Sequence, residues 1–190
     1  MSHHVVEARS LCYDYPDGTP ALRHVSFRIT HGQAVAFIGP NGAGKSTLLL
    51  HLCGCLWASR GEARVGDVPV CRQTPPHIRR TVGLVFQDPD DQLFMPTVAD
   101  DLAFGPLNLG LRSFEHTRLV ATHDLDLALD VCSRVILLDR GAVAADGPAM
   151  EVLNDAALLQ RHGLEKPLRL QACPRCSGPA RGWPAQPGPP

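Results

Sequence analysis

Long apolar runs are missing from this sequence. No stretch approaches the roughly eighteen consecutive apolar residues that a bilayer-crossing helix needs. The opening Met1-Ser2-His3-His4 has neither the basic start nor the apolar stretch of a signal peptide, so the expectation is a cytoplasmic chain. An excess of charge of one sign is missing too. Eighteen basic residues stand against nineteen acidic ones, a formal net charge of −1, which leaves no uncompensated basic stripe and argues against nucleic acid as a partner. A disulfide framework is absent: the seven cysteines (Cys12, Cys53, Cys55, Cys71, Cys132, Cys173 and Cys176) are odd in number and scattered, which suits a reducing compartment. Lysine is scarce. Only Lys45 and Lys166 occur among the eighteen basic residues, which makes their positions informative.

What is present begins with size. A chain of 190 residues that is 44% hydrophobic can hold one globular domain with a core, or one domain and a tail. Lys45 falls in Gly39-Pro40-Asn41-Gly42-Ala43-Gly44-Lys45-Ser46-Thr47, which fits the phosphate-binding P-loop G-x-x-x-x-G-K-[ST]. The apolar run Ala34–Ile38 before it predicts a buried parallel strand, and Ser46–Leu52 after it predicts a helix. That strand, loop and helix are the context the motif requires. Gly39, Gly42 and Gly44 let the backbone curl with its N–H groups inward, forming with the helix N-terminus a cradle for phosphate oxygens. Lys45 adds a point charge, Ser46 a hydroxyl for Mg²⁺, and Thr47 a further phosphate contact. The bland alternative is an ordinary glycine turn before a helix.

Ahead of the loop, Val5-Val6, Leu11–Tyr13 and Val25–Ile29 alternate with turn residues at Pro16-Asp17-Gly18 and His31-Gly32, which predicts an antiparallel β layer. After the P-loop helix, Arg60–Val70 reads as a strand pair turning at Gly66-Asp67. Thr81–Phe86 is strand-like and ends in Gln87-Asp88-Pro89. With the text Tyr13–Leu22 and the P-loop, this resembles the ATP-binding-cassette (ABC) ATPases. The segment Asp90–Gly110 is similar to the energy-coupling-factor and cobalt/nickel subgroup of that family, where it opens the helical subdomain. The resemblance implies that Tyr15 stacks on adenine, although a tyrosine packed on the β layer has the same sequence. It implies that Gln87 heads the Q-loop, contacting Mg²⁺ and the attacking water. Leu93-Phe94-Met95 is either core or part of a groove for a coupling helix.

Arg118–Asp124 looks like the strand and H-loop at the far end of such a domain, with His123 contacting the γ-phosphate. Only 36 positions separate Gln87 from His123. In a complete family member that interval is longer and holds the rest of the helical subdomain, the LSGGQ signature and the Walker B Asp-Glu, none of which stands in this sequence. Val135–Asp139 has the bare Walker B pattern, but Arg140 occupies the position of the general-base glutamate. Arg140-Gly141 instead predicts a hairpin turn into Ala142–Pro148. Leu125–Cys132 predicts an amphipathic helix with Leu125, Ala128 and Leu129 on one face, and residues 149–165 one or two short helices.

From Lys166 the composition turns rich in proline and glycine, so a nucleotide-binding domain over 1–165 and a disordered tail over 166–190 are expected. Cys173-Pro174-Arg175-Cys176 is a single C-x-x-C pair, two ligands short of a zinc site. The fold class expected is α/β, a P-loop NTPase of ABC type with an antiparallel β layer and a truncated parallel sheet flanked by helices, its helical subdomain mostly missing. The resemblance implies ATP and Mg²⁺ as ligands, a transmembrane coupling protein and a second ABC ATPase subunit as partners, and a place on the inner face of the membrane. Without the Walker B pair, binding is expected with little hydrolysis. The competing readings are an inactive nucleotide-binding remnant that pairs with a full-length subunit, and a P-loop kinase, against which the Gln87 and His123 texts argue.

Overall fold

The computed structural model describes residues 6–82 and 117–171. Gln87, the segment 90–110 with Leu93-Phe94-Met95, and Cys173 and Cys176 lie outside the described residues.

Two sheets face each other across one strand's worth of alternation. The antiparallel sheet has the order β2-β1-β4-β5, from β1 (Val6–Asp14), β2 (Pro20–Ile29), β4 (Arg60–Val65) and β5 (Val68–Pro69). Strands β1 and β2 are joined through Tyr15–Thr19, where Gly18 N–H donates to Tyr15 O at 2.8 Å and the Asp17 carboxylate accepts from Thr19 N at 2.9 Å. The second sheet has the order β6-β3-β7-β8, from β3 (Ala34–Ile38), β6 (Arg118–Ala121), β7 (Arg134–Asp139) and β8 (Ala142–Pro148). Within it β3 runs parallel to both β6 and β7, and β8 returns antiparallel to β7.

All five residues of β3 are buried, because both faces of this strand are covered. The period of two then sorts one apolar run into two cores. Val35 and Phe37 pack toward the antiparallel sheet with Leu11, Val25, Phe27 and Leu48, and the Phe27 and Phe37 rings meet at 5.4 Å. Ala34, Ala36 and Ile38 face the other way, toward Leu125, Ala128, Val152, Leu153 and Leu159 on the helices. Strand β7 divides in the same manner, with Ile136 and Leu138 in the first core and Val135 and Leu137 in the second.

The helices are α1 (Lys45–Leu52), α2 (Pro75–Thr81), α3 (Leu125–Val131), α4 (Ala149–Asn154) and α5 (Ala156–Arg161). Side-chain caps start two of them: Asp124 accepts from Leu127 N and Asp155 from Leu158 N, each at 2.9 Å. Helix α2 is an element the sequence reading missed. Its signal is Thr74 followed by Pro75, which sets a helical φ at a position whose N–H has no helical partner.

Val135–Asp139 forms the first arm of a hairpin with β8, turning at Arg140 and Gly141, as its sequence predicts. The strand at 118–121 pairs directly with β3 and is the terminal strand of its sheet among the described residues. Its side chains are at most half-buried, in contrast to β3 and the centre of β7. The packed chain also continues past the boundary expected at Lys166. A 3₁₀ turn at Leu168–Leu170 docks on α3, the Asp126 carboxylate accepting from Leu168 N at 3.0 Å and Arg169 N at 3.1 Å, and Arg169 pairing with Asp130.

Arg134 ties the layers together. Its guanidinium donates through Nε and Nη2 to the two Asp146 oxygens, each at 2.7 Å, and through Nη1 to Arg28 O at 2.8 Å at the end of β2. A bidentate pair with a backbone acceptor is stronger than a surface ion pair. Arg134→Ala is expected to lower the unfolding free energy by about 1–3 kcal/mol, read from urea denaturation; a loss below about 0.5 kcal/mol would show that the arginine does not couple the sheets.

Candidate functional site

The loop after β3 is held by backbone meeting backbone. Gly39 has φ +142°, and a Cβ there would lie 2.1 Å from Leu138 O at the end of β7. Gly44 has φ +99°, and a Cβ there would lie 2.7 Å from Ala21 O on β2. No other residue type fits either position. Between them Asn41 and Gly42 form an exposed tip, Pro40 is half-buried, and Ala43 is buried in the first core. Ala43 N donates to Pro40 O at 3.2 Å, and Ala43 O accepts from Gly141 N at 3.1 Å, so the β7–β8 turn braces the loop from behind.

Helix α1 begins without a side-chain cap on Gly44. The first bond of its ladder runs from Leu48 N to Gly44 O at 2.8 Å, which leaves the amides of Lys45, Ser46 and Thr47 ahead of it at the positive end of the helix. Amides left free in this way at a helix N-terminus are suited to receive an anion. Lys45 is folded back along the loop, Nζ donating to Gly39 O at 2.7 Å and to Pro40 O at 2.9 Å, and burial lowers its pKa from the ordinary lysine value. Ser46 is exposed.

Tyr15 stands beside the cradle, and its hydroxyl lies 2.9 Å from Thr47 Oγ1. Tyr15 is 36% exposed, so it is not buried in the β layer. The Thr47 hydroxyl, expected to touch phosphate, is engaged with Tyr15. Behind this pair lie two residues that the sequence reading passed over. Tyr13 packs edge-on against both Tyr15 at 5.1 Å and His51 at 4.6 Å. His51 Nδ1 donates to Thr47 O at 2.7 Å, which fixes the Nδ1–H tautomer for the neutral ring. The available signal was spacing: Thr47 and His51 are four apart on one face of α1, and Tyr13 and Tyr15 are two apart on one face of β1 and its extension.

His123 reaches the same end of the sheet. Because β6 and β3 are parallel, both leave the sheet at its carboxyl edge, where ligands of open α/β sheets bind. Thr122 is buried and its N–H donates to Phe37 O at 3.2 Å; the exposed His123 follows directly. At the end of β7 the Asp139 carboxylate accepts from His162 Nδ1 at 2.9 Å. The fold therefore brings together Tyr15, the loop 39–47 and the carboxyl edge carrying His123.

Comparison with known proteins agrees with this geometry. Residues 22–156 match the family described as ABC transporter. A Geobacter sulfurreducens protein named, by inference, as an ABC transporter ATP-binding protein is 44% identical over 247 aligned positions covering 93% of this chain and 99% of that one. The alignment is longer than the chain's 190 residues, so the relative carries residues within it that have no counterpart here. The energy-coupling factor transporter ATP-binding protein EcfA of Methanothermobacter thermautotrophicus is 33% identical, over 86% of this chain and 77% of its own length. Among solved structures, cbiO1 of Clostridium perfringens, part of the ABC transporter complex cbiONQ, superposes with a TM-score of 0.70 over 84% of this chain and 94% of its own, at 24% identity, a likeness of fold.

Two outcomes are expected from the site's packing. Gly39→Ala places a methyl group inside contact distance of Leu138 O and is expected to abolish binding of a triphosphate to the loop, by titration calorimetry, and to cost about 2–4 kcal/mol in stability. His51 is 1% exposed, and its pKa is lowered from 6.5 chiefly by burial, the Thr47 and Trp57 backbone offsetting part of that. The folded state thus binds the proton more weakly than the unfolded chain. The stability carried by neutral His51 is complete above pH 6.5 and is lost as pH falls from there toward the lowered value. Wild type should lose up to about 1.4 kcal/mol per pH unit more than His51→Asn in that window, measured by denaturation at successive pH values.

Proposed function

The chain belongs to the ABC transporter family, and on that premise we propose that it is an ATP-binding subunit of an energy-coupling-factor or cobalt/nickel importer, binding Mg-ATP with little turnover. It would dock on a transmembrane coupling protein at the inner face of the cell membrane and pair with a second ABC ATPase subunit. The observation that carries the nucleotide reading is the loop itself. Gly39 and Gly44 occupy positions where a side chain cannot stand, three amides precede the helix ladder, and Lys45, one of the chain's two lysines, lies along the loop.

The residues present fit Mg-ATP. The loop amides and Lys45 would hold the β- and γ-phosphates, the exposed Ser46 hydroxyl would ligate Mg²⁺, and the Tyr15 ring would support the base. Ring-on-base stacking is worth about 1–3 kcal/mol. By family resemblance Gln87 would join Ser46 at the metal and orient the attacking water, while His123 would contact the γ-phosphate. Bound Mg-ATP supplies the phosphoanhydride whose γ-phosphoryl is transferred to water. Lys45 must exchange its Gly39 and Pro40 carbonyls for phosphate, and Tyr15 must share or release Thr47 if that hydroxyl is to reach the ligand.

Slow hydrolysis is inferred from what no residue replaces. Arg140 follows Asp139, and Asp139 is bonded to His162, so this strand end supplies neither the second metal anchor nor a general base. A positioned base typically contributes about 10²–10⁴-fold. An internal deletion between Gln87 and His123, near residues 112–117, accounts for both losses. One feature supports it: the 247-position alignment over a chain of 190 residues. The subgroup is supported by the EcfA relative, and by a second EcfA, of Methanocaldococcus jannaschii, 50% identical over 110 residues.

The purified chain is expected to bind ATP in Mg²⁺ buffer by calorimetry. Its phosphate release should lie at least ~10²-fold below that of a full-length relative assayed beside it. Tyr15→Ala should weaken ATP by about 1–3 kcal/mol more than it changes inorganic triphosphate, which has no base to stack. Phosphate release at the relative's rate would overturn the slow-turnover reading, and failure to bind either ligand would overturn the nucleotide reading.

A further inference from the structure

The end of the P-loop helix carries a sulfur pair that nucleotide binding does not use. Helix α1 closes at Cys53-Gly54-Cys55 in a left-handed turn, with Gly54 at φ +72°. Gly54 N donates to His51 O at 3.0 Å, and Cys55 N donates back to Leu50 O at 2.9 Å. Reversing the chain this tightly returns Cys55 toward the helix it has just left, and the two sulfurs lie 3.5 Å apart. Cys53 is buried, its thiol also directed at Leu50 O at 3.4 Å, whereas Cys55 is exposed. Burial and the neighbouring Cys55 push the Cys53 thiol up to about 11, so it is a poor first nucleophile. The other described cysteines are engaged differently: Cys12 with Ser10 O and His24 N, Cys71 with Gln73 and Thr74, and Cys132 buried in the second core.

We propose that Cys53 and Cys55 form a reversible thiol–disulfide site at the C-terminal end of the P-loop helix, oxidised by low-molecular-weight disulfides and re-reduced by thiols. The accessible Cys55, as thiolate, attacks one sulfur of the small disulfide RS–SR. That S–S bond breaks, a Cys55–S–SR mixed disulfide forms, and RS⁻ leaves and takes up a proton. Cys53 then gives its proton to solvent and its sulfur attacks Cys55 Sγ, forming the Cys53–Cys55 bond and expelling the second RS⁻. Two cysteine thiols lose two electrons and two protons, and RS–SR becomes two RSH. The sulfurs must close from 3.5 Å to a bond of about 2.05 Å, which rotation of the exposed Cys55 side chain can supply. One intervening residue makes a strained ring, and exposed, strained disulfides are the easily reduced, regulatory kind. The pair therefore stays reduced in a thiol-rich compartment and oxidises when the thiol–disulfide balance shifts.

The sequence supplies a clean readout. Tryptic cleavage after Lys45 and Arg60 gives one peptide, residues 46–60, whose only cysteines are Cys53 and Cys55. The full-length folded chain is incubated with glutathione disulfide, blocked with iodoacetamide, digested and weighed. In wild type this peptide should become lighter by two hydrogens and resist alkylation, and dithiothreitol should restore both thiols. Cys53→Ala should stop at a stable glutathione adduct on Cys55, while Cys55→Ser should leave Cys53 without adduct over the same period. The proposal fails if the wild-type peptide stays fully alkylatable, or if it keeps a glutathione adduct without closing the ring. It fails equally if Cys55→Ser takes up glutathione as fast as Cys53→Ala.

Discussion

The fold depends on a close approach of three backbones. The P-loop, the start of β2 and the β7–β8 turn converge so tightly that Gly39, Gly44 and Gly141 each stand where a Cβ would strike a carbonyl oxygen, of Leu138, Ala21 and Ala21 respectively. Hydrogen bonds lock the same junction: Gly141 N to Ala43 O at 3.1 Å, and Arg23 N to Gly141 O at 2.7 Å. The antiparallel sheet, the parallel sheet and the anion cradle thus share one contact. Close-packed interiors transmit displacement, so the geometry of the cradle is set by how the two sheets pack and not by the loop alone.

The cradle's second support is polar and aromatic. Thr47 is held twice, through its hydroxyl by Tyr15 and through its carbonyl by His51, and Tyr13 fills the angle between those two rings. Burying an imidazole has a cost that its hydrogen bond only partly offsets. What it secures is the position of the first turn of α1, whose amides face the loop. The tyrosine expected to recognise a base is therefore already tied to the residue expected near phosphate, so the two ends of a nucleotide site are mechanically joined before any ligand arrives.

The parallel sheet is less buried at β6 than at its centre. This strand pairs with β3 on one side and has no described neighbour on the other, and its residues are half-buried at best. At the other end of the sheet β8 returns against β7, and Arg134 clamps β8 to β7 and to the end of β2. The strand that carries His123 to the site is thus far less buried than β3, the strand that carries the P-loop.

The sequence by itself determined the elements with strong local signals. The P-loop, its flanking strand and helix, the β1–β2 layer, the Gly66-Asp67 turn, the helix after His123 and the Arg140-Gly141 hairpin follow from period, glycine placement and turn chemistry, because those forces act within a few residues. Helix α2 was missed because its apolar content is a single buried residue, Ile78, and its only cue is Thr74-Pro75. The expected boundary at Lys166 fell short because composition does not register that Asp126 and Asp130 on α3 are placed to receive Leu168 and Arg169. Tertiary structure alone decided that Tyr15 meets Thr47, that His51 and Tyr13 stand behind them, that Asp139 belongs to His162, and that Cys53 and Cys55 face each other. Those pairings depend on how sheets and helix ends are brought together, and residue spacing carries no record of distances closed across the core.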